Sequence, residues 1–371
     1  MNELNDKASR AWFGISNIVF KNKRMQVDRI FSLFDSLITP VATYGSPLWL
    51  PFNIPVNCTE NKTRLISFWE KFKCETINQK CAKIALSVNK KSPRLAVLGE
   101  LGRYPLFLQS LAQCLNYKLS LFSRKNSNVL VGNTIREMEG LCKMRCDNWL
   151  SRVEQIANLF NIPKTIFFNK SSGRRILKSL KSSFDIHFLN KINEFKGSNL
   201  DNLDHNKLRT YKTIKSSFTR ELYIDLVRNR NQRCFLSRLR VSSHNLHIEL
   251  GRHTRPVTPA GERFCKYCSL QPPPCPTCPA SSCQCTAVSL SAQPAAVDCE
   301  FHFLAQCPVF DAARNTLFTR LNELDPHFTT LSLTDKFKTM LCPTSAISVK
   351  LIVITPKPSQ ATATQPKSNP K

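Results

Sequence analysis

Apolar side chains recur along this chain at helical spacing. Leu4, Ala8, Ala11, Trp12, Ile15 and Ile18 fall close to a 3.6-residue period, as do Phe31, Leu33, Phe34, Leu37 and Ile38, and each set predicts a short amphipathic helix. The turn residues Tyr44-Gly45-Ser46-Pro47 interrupt the pattern, and Asn53 to Asn61 reads as a loop. Leu65, Phe68, Trp69, Phe72, Ile77, Cys81, Ile84 and Ala85 mark one longer helix ending before Asn89. Ser92-Pro93 opens another, since serine caps and proline tolerates the first helical position; it runs over 93–122 with a break from Gly102 to Pro105.

Further on, a helical pattern runs from Thr134 to Phe160 through Trp149 and Val153. Residues 161–206 are basic and weakly periodic, with Gly173 and Gly197 as breakers. The clearest pattern is Leu208, Tyr211, Ile214, Phe218, Leu222 and Leu226, spaced by three or four, which predicts a single helix over 208–226. A second follows from Arg233 to Val241 and a last from about Val309 to Leu324. Few stretches alternate as strands do, and no internal repeat is found. The expected fold class is mainly α.

Composition changes after Pro259. Eight of the 16 cysteines lie between Cys265 and Cys307, around a Pro/Ser/Ala-rich insert, QPPPCPTCPASSCQCTAVSLSAQPAAV. The terminal stretch PKPSQATATQPKSNPK has no aromatic residue and cannot offset its ordering entropy by burial, so a disordered tail is expected. Disulfide-dense secreted proteins are usually short, and the opening MNELNDKASRAWFG has no apolar stretch of signal-peptide length, so an intracellular chain, in nucleus and/or cytoplasm, with reduced thiols is expected. The uncharged runs 36–59 and 269–297 are interrupted by prolines, which argues against a membrane span.

The formal charge of +27 is unevenly spread: residues 161–260 carry 20 basic and 7 acidic side chains. Such a concentration points to a polyanion, and nucleic acid, RNA or DNA, is the expected partner. The candidate contacts are Arg209, Lys212, Lys215, Arg233, Arg238, Arg240, Arg252 and Arg255, mostly arginines able to fork onto phosphate. The competing reading is a solvated helix face. His244 and His247, spaced i, i+3, could share a metal, but no third ligand is evident and a hydrogen-bonding role fits better.

Cys265 and Cys268 form a Cys-x-x-Cys pair, and His302 and Cys307 a His-x4-Cys pair. Three thiolates and one imidazole make a closed tetrahedral set suited to one structural zinc, with no position left for a reacting water. Cys275, Cys278, Cys283 and Cys285 could instead form a second site or exchange with the first, Cys299 is a further candidate ligand, and buried hydrophobic thiols are the remaining alternative. No adjacent Asp-Asp pair, phosphate-binding glycine loop or G-x-S-x-G elbow occurs, so neither autonomous catalysis nor a small-molecule substrate is expected.

The blocks KASRAWFGI, LFDSLITPVATYGSPLW, FWEKFKCETINQKCAKIALSVNKKSPRLAVLGELGRYPL, LRTYKTIKSSFTRELYI, RCFLSRLRVSSHNLHIELGRHTRP, RFCKYC and DCEFHFLAQCPVFDAAR, in this order, resemble the C-terminal part of LINE-type non-LTR retrotransposon reverse transcriptases over about residues 4–325. The resemblance implies thumb-like helices at 1–60 and a helical linker domain at 61–160, then a basic nucleic-acid-binding segment at 161–258. It places a CCHC zinc-knuckle domain at 259–325, with the insert at 269–297, ahead of a divergent, largely disordered tail at 326–371. It puts Cys265, Cys268, His302 and Cys307 on the family's zinc-knuckle positions, across a loop longer than the family's. A truncated, non-catalytic fragment of an RNA-directed DNA polymerase that contacts template RNA and target DNA is the function it implies. The alternative is a zinc-stabilised interaction module co-opted by a host, recruiting protein partners through the Pro-rich insert.

Overall fold

The computed structural model describes residues 2–22, 25–162, 172–194, 207–227, 229–269 and 296–343. Among them every regular element is a helix, and a single antiparallel bridge joins Phe264 to Val297, as the mainly α expectation requires. Two compact units form: Met1–Phe195 with Ser216–Glu221, and Lys196–Lys215 with Leu222–Lys371. No helix among the described residues is long and apolar enough to cross a membrane.

The first unit is organised around the Leu106–Ser123 helix, where Leu106, Phe107, Leu108, Leu111, Ala112, Cys114 and Leu115 are all buried. A helix apolar around most of its circumference has to be covered on several sides. Ser46–Asn53, Trp149–Leu159 and Ser172–Asn193 do so. At its N-terminus the carboxylate of buried Glu75 accepts the Leu106 N–H at 2.8 Å, serving as a cap supplied by another helix. Asn78 donates to the same carboxylate at 2.5 Å and accepts from Arg103 Nε at 2.7 Å. Arg103 in turn forks onto Asp35 at 2.6 and 3.0 Å, with its guanidinium 4.3 Å from the centre of the Phe31 ring. One polar chain thus runs from buried Glu75 out to exposed Asp35 and links four segments. The Arg94–Leu101 helix stops at Gly102, whose φ of 57° and close approach to Arg220, 2.6 Å from where a Cβ would stand, leave no room for a side chain.

Several elements depart from the periodicity reading. Gly173 does not break a helix: it lies in the first turn of Ser172–Asn193, where its loss of backbone entropy is tolerated. That helix buries Ile176, Leu180, Phe184, Phe188 and Ile192, spaced by four throughout and masked in the sequence by the surrounding lysines. The expected helix over 65–85 is two, Lys62–Ser67 and Glu75–Leu86, with a tighter turn at 68–70 that lets Trp69 and Phe72 both point inward. The expected helix over 208–226 is also broken, into Arg209–Ile214 and Leu222–Leu226, and Lys215 is extended at φ −118°. The intervening residues 216–221 belong to the first unit, where Phe218 stacks edge-on against Phe184 and Phe188 and Glu221 donates to the Glu100 carbonyl. Packing of one aromatic side chain has overridden a continuous amphipathic stripe.

In the second unit Phe301, Leu317, Leu321, Phe328, Phe337, Met340 and Leu341 form a core with Leu239. The expected disordered tail from 326 is corrected by this core up to Pro343: a tight turn at 326–330 and a helix over Leu333–Leu341, capped by Ser332 at 3.1 Å, supply Phe328, Phe337, Met340 and Leu341 to it. The rest of that tail, 344–371, lies outside the described residues, as do the insert cysteines Cys275, Cys278, Cys283 and Cys285.

Candidate metal centre and nucleic-acid surface

The two halves of the Cys/His set are far apart in sequence and are brought together by backbone. Cys265 N–H donates to the Ala296 carbonyl at 2.8 Å and Asp298 N–H donates to the Arg263 carbonyl at 2.8 Å, pinning 263–265 against 296–298 in antiparallel register. From one side of this pin the chain enters the single turn Lys266–Ser269, which sets Cys265 and Cys268 on a common edge. From the other side it enters a π turn, His302–Gln306, closed by Cys307 N–H on the His302 carbonyl at 2.7 Å. A turn closing on the fifth residue brings His302 and Cys307 to the same side, where an α turn would have rotated them apart.

The result is a convergent donor set. Cys265 Sγ lies 4.0 Å from Cys307 Sγ, Cys268 Sγ lies 3.6 Å from Cys307 Sγ and 3.2 Å from His302 Nε2, and all four donor atoms fall within 4.8 Å of one another. Zinc–sulfur bonds of about 2.3 Å give tetrahedral edges of roughly 3.8 Å. The cluster can therefore hold one metal ion with little adjustment. Its soft, carboxylate-free composition is compatible with zinc. Burial pushes the Cys307 thiol up to about 12 and raises Cys268, while it lowers His302, so the imidazole is held in its neutral, ligating form. Thiolates at this site need a cation to compensate them, and metal entry must release protons. Among the described residues no cysteine is in a disulfide, and no other group of His, Cys, Asp and Glu is placed to hold an ion. Cys299 is outside the ligand set: its sulfur accepts the His302 N–H at 3.4 Å.

Three residues that spacing did not single out support the cluster. Buried Arg314 donates to the Cys307 carbonyl at 2.7 Å and to the Leu304 carbonyl at 2.9 Å, and pairs with Asp311. Buried Arg263 donates to the carbonyls of Ile248 at 2.6 Å and Thr258 at 2.7 and 2.9 Å, which fixes the segment entering Cys265. Asp298 caps the short helix His247–Leu250 through the His247 N–H at 2.7 Å. Acids so close to His302 in the stretch DCEFH were the available signal.

The eight candidate phosphate contacts separate by burial. Arg209, Arg233, Arg240 and Lys215 are interior. Arg209 donates to Glu249 at 2.7 Å and to Glu300 at 2.6 and 2.8 Å. Arg233 donates to the Val227 carbonyl at 2.9 Å, and Arg240 bonds the Leu341 carbonyl and lies over the Tyr223 ring. For these four the expectation of a phosphate contact is corrected: the three arginines are consumed in holding the unit together and Lys215 is 5% exposed, which a basic count cannot distinguish from surface charge. Arg252 and Lys212 are half-buried, Arg252 with Glu249 at 3.1 Å. Arg238 and Arg255 are exposed. His244 takes the hydrogen-bonding role, 2.7 Å from Glu300 through Nε2.

Burial alone would raise the Glu300 carboxyl, but Arg209 and His244 outweigh it and hold it well below the usual carboxylate range. The chain matches no family model, no curated protein and no solved structure.

Proposed function

We propose that this chain is the nucleic-acid-binding C-terminal portion of a retrotransposon RNA-directed DNA polymerase, braced by one structural zinc and without catalytic chemistry of its own. The observation that carries the reading is the convergence of Cys265, Cys268, His302 and Cys307 within 4.8 Å across an insert whose sequence holds four further cysteines. The ordered sequence blocks and the absence of an adjacent Asp-Asp pair support the same assignment. So does the net charge of 161–260, even after its interior arginines are set aside.

The test is binding of the purified, zinc-loaded chain to single-stranded RNA, single-stranded DNA and duplex DNA as a function of salt. Affinity should fall steeply, by about 10-fold or more between roughly 50 and 200 mM salt, because displaced counterions drive association. Salt-independent binding, or none at the lowest salt, overturns the proposal.

A further inference from the structure

The cysteine pair does more than supply ligands. The two residues enclosed by it, Lys266 and Tyr267, are exposed, and the Tyr267 ring meets Phe310 edge-on at 5.8 Å. Phe310 in turn meets Phe303 at 4.9 Å, and Phe303 stands inside the His302–Cys307 turn. Both halves of the metal cluster therefore contribute aromatic rings to one wall. Facing that wall, within the same unit, the Arg230–Arg240 helix presents Phe235 and Arg238, one turn apart and both exposed. Between them runs a groove of about 430 Å³, floored by the loop 243–247.

We infer that this groove, lined by Phe235, Arg238, Lys266, Tyr267, Phe303 and Phe310, binds single-stranded nucleic acid, with bases on the aromatic wall and the backbone along Arg238 and Lys266. The inference rests on the nucleic-acid reading above and gives it a place. Three observations select this occupant. Tyr267 and Phe235 are 54% and 44% exposed, and both present ring surface to the same cleft, where a base can stack. Each ring has a cation beside it, Lys266 next to Tyr267 in the chain and Arg238 one turn from Phe235, the pairing of base platform and phosphate partner that sequence-tolerant single-strand binding uses. The one acid lining the groove, Asp298, is 6% exposed and accepts the His247 N–H, so the exposed charges of the lining are the two cations. A volume of this size admits one or two nucleotides but not a duplex.

The arrangement also ties binding to metal. Lys266 and Tyr267 are positioned by the turn that Cys265 and Cys268 close, and Phe303 and Phe310 by the turn through His302 and Cys307. Stripping the ion should release both edges of the wall together.

The experiment compares the zinc-loaded full chain with Tyr267→Ala, Phe235→Ala, Tyr267→Trp and the pair Arg238→Gln with Lys266→Gln, using a labelled oligouridine of about twelve residues and a duplex of equal length, with zinc content measured throughout. Each alanine variant should weaken oligouridine binding about tenfold at unchanged zinc content, and Tyr267→Trp should restore it. The charge pair should lower the slope of log affinity against log salt by about two. Phe235→Ala lies outside the ligand turns and so reports on the groove even where a change at Tyr267 disturbs the metal. Wild-type binding by the alanine variants overturns the groove and leaves the wider proposal standing. Equal affinity for the duplex, or displacement of oligouridine by polyglutamate as readily as by unlabelled oligouridine, also overturns it, the second because it would make the groove an acidic-peptide site. A wild-type chain that binds no nucleic acid overturns both readings.

Discussion

Arg209 donates two hydrogen bonds to Glu300, at 2.6 and 2.8 Å, with the acid 1% and the arginine side chain 9% exposed. Glu300 also accepts from Ser242 Oγ at 3.1 Å and faces His244 at 2.7 Å, so one buried carboxylate gathers the 209–214 helix, the 242–244 turn and the segment entering the metal site. Removing the acid leaves a buried guanidinium short of its partner. Glu300→Gln should destabilise the second unit by about 3 to 5 kcal/mol in urea unfolding, and Arg209→Lys, which cannot fork across Glu249 and Glu300 together, should also lose stability. Wild-type unfolding midpoints for both would refute this role.

Acid should weaken the second unit through the same residue. Because the folded Glu300 carboxyl is held below its ordinary value of 4.5, its contribution is complete above that pH and disappears progressively as pH falls beneath it. Glu300→Gln should flatten the acid limb of the stability curve; an acid limb as steep as the wild type's would assign it to other carboxylates.

Glu75 has the opposite sign. Burial pushes its carboxyl up to about 7, against the opposing hydrogen bonds from Asn78 and Leu106. Folding then favours the protonated acid, so its contribution is complete below about 4.5 and is lost as pH rises through 7, by at most about 3 kcal/mol. Glu75→Gln keeps an acceptor for Leu106 and should remove this decline, seen as equal unfolding free energies at about pH 5 and about pH 8. A decline that persists in the variant would locate the titration elsewhere.

Removing an ion held by the Cys/His cluster should affect more than the two turns that carry its donors. Phe301 and Ala305, in and beside the His302 turn, belong to the core that includes Phe337 and Leu341. Cys265→Ser should lose one equivalent of zinc and, because binding and folding energy are one quantity at such sites, loosen the described structure out to the Leu333–Leu341 helix. Amide exchange would show protection falling across 296–341; unchanged zinc content and unchanged exchange would reject the site.

Arg314 offers a subtler test. Its bond to the Cys307 carbonyl holds a ligand without touching the metal position. Arg314→Met should weaken zinc affinity about 10- to 100-fold in a chelator competition while leaving stoichiometry at saturation intact. Equal chelator sensitivity would show that the π turn stands without it.

Much of this was legible in the residues. The four clustered donors were readable because Cys-x-x-Cys and His-x4-Cys are local patterns, and each pair is shaped by its own single turn. Helices with a strong stripe, such as Asn2–Lys21 and Arg230–Arg240, were readable for the same reason. What failed were the single helix over 208–226 and the surface placement of the interior cations. The stripe through Leu208 and Leu226 is real, yet Phe218 is claimed by Phe184 and Phe188, residues far away in sequence. Arg209 and Arg240 looked like surface charge because Glu249, Glu300 and Leu341, which receive them, lie 40 to 101 positions away, while Arg233 turns back onto the Val227 carbonyl, a backbone acceptor that sequence does not single out. Basic composition reports how many cations there are and says nothing of which face inward.

The pin formed by Phe264 and Val297 has a consequence for how the chain can vary. Because main-chain hydrogen bonds join 263–265 to 296–298, the approach of the Cys265–Cys268 turn to the His302–Cys307 turn does not depend on which side chains stand at Phe264 and Val297. A donor cluster so clamped is set by backbone. Substitutions at Phe264 or Val297 that keep the extended backbone should therefore leave the four donor atoms together.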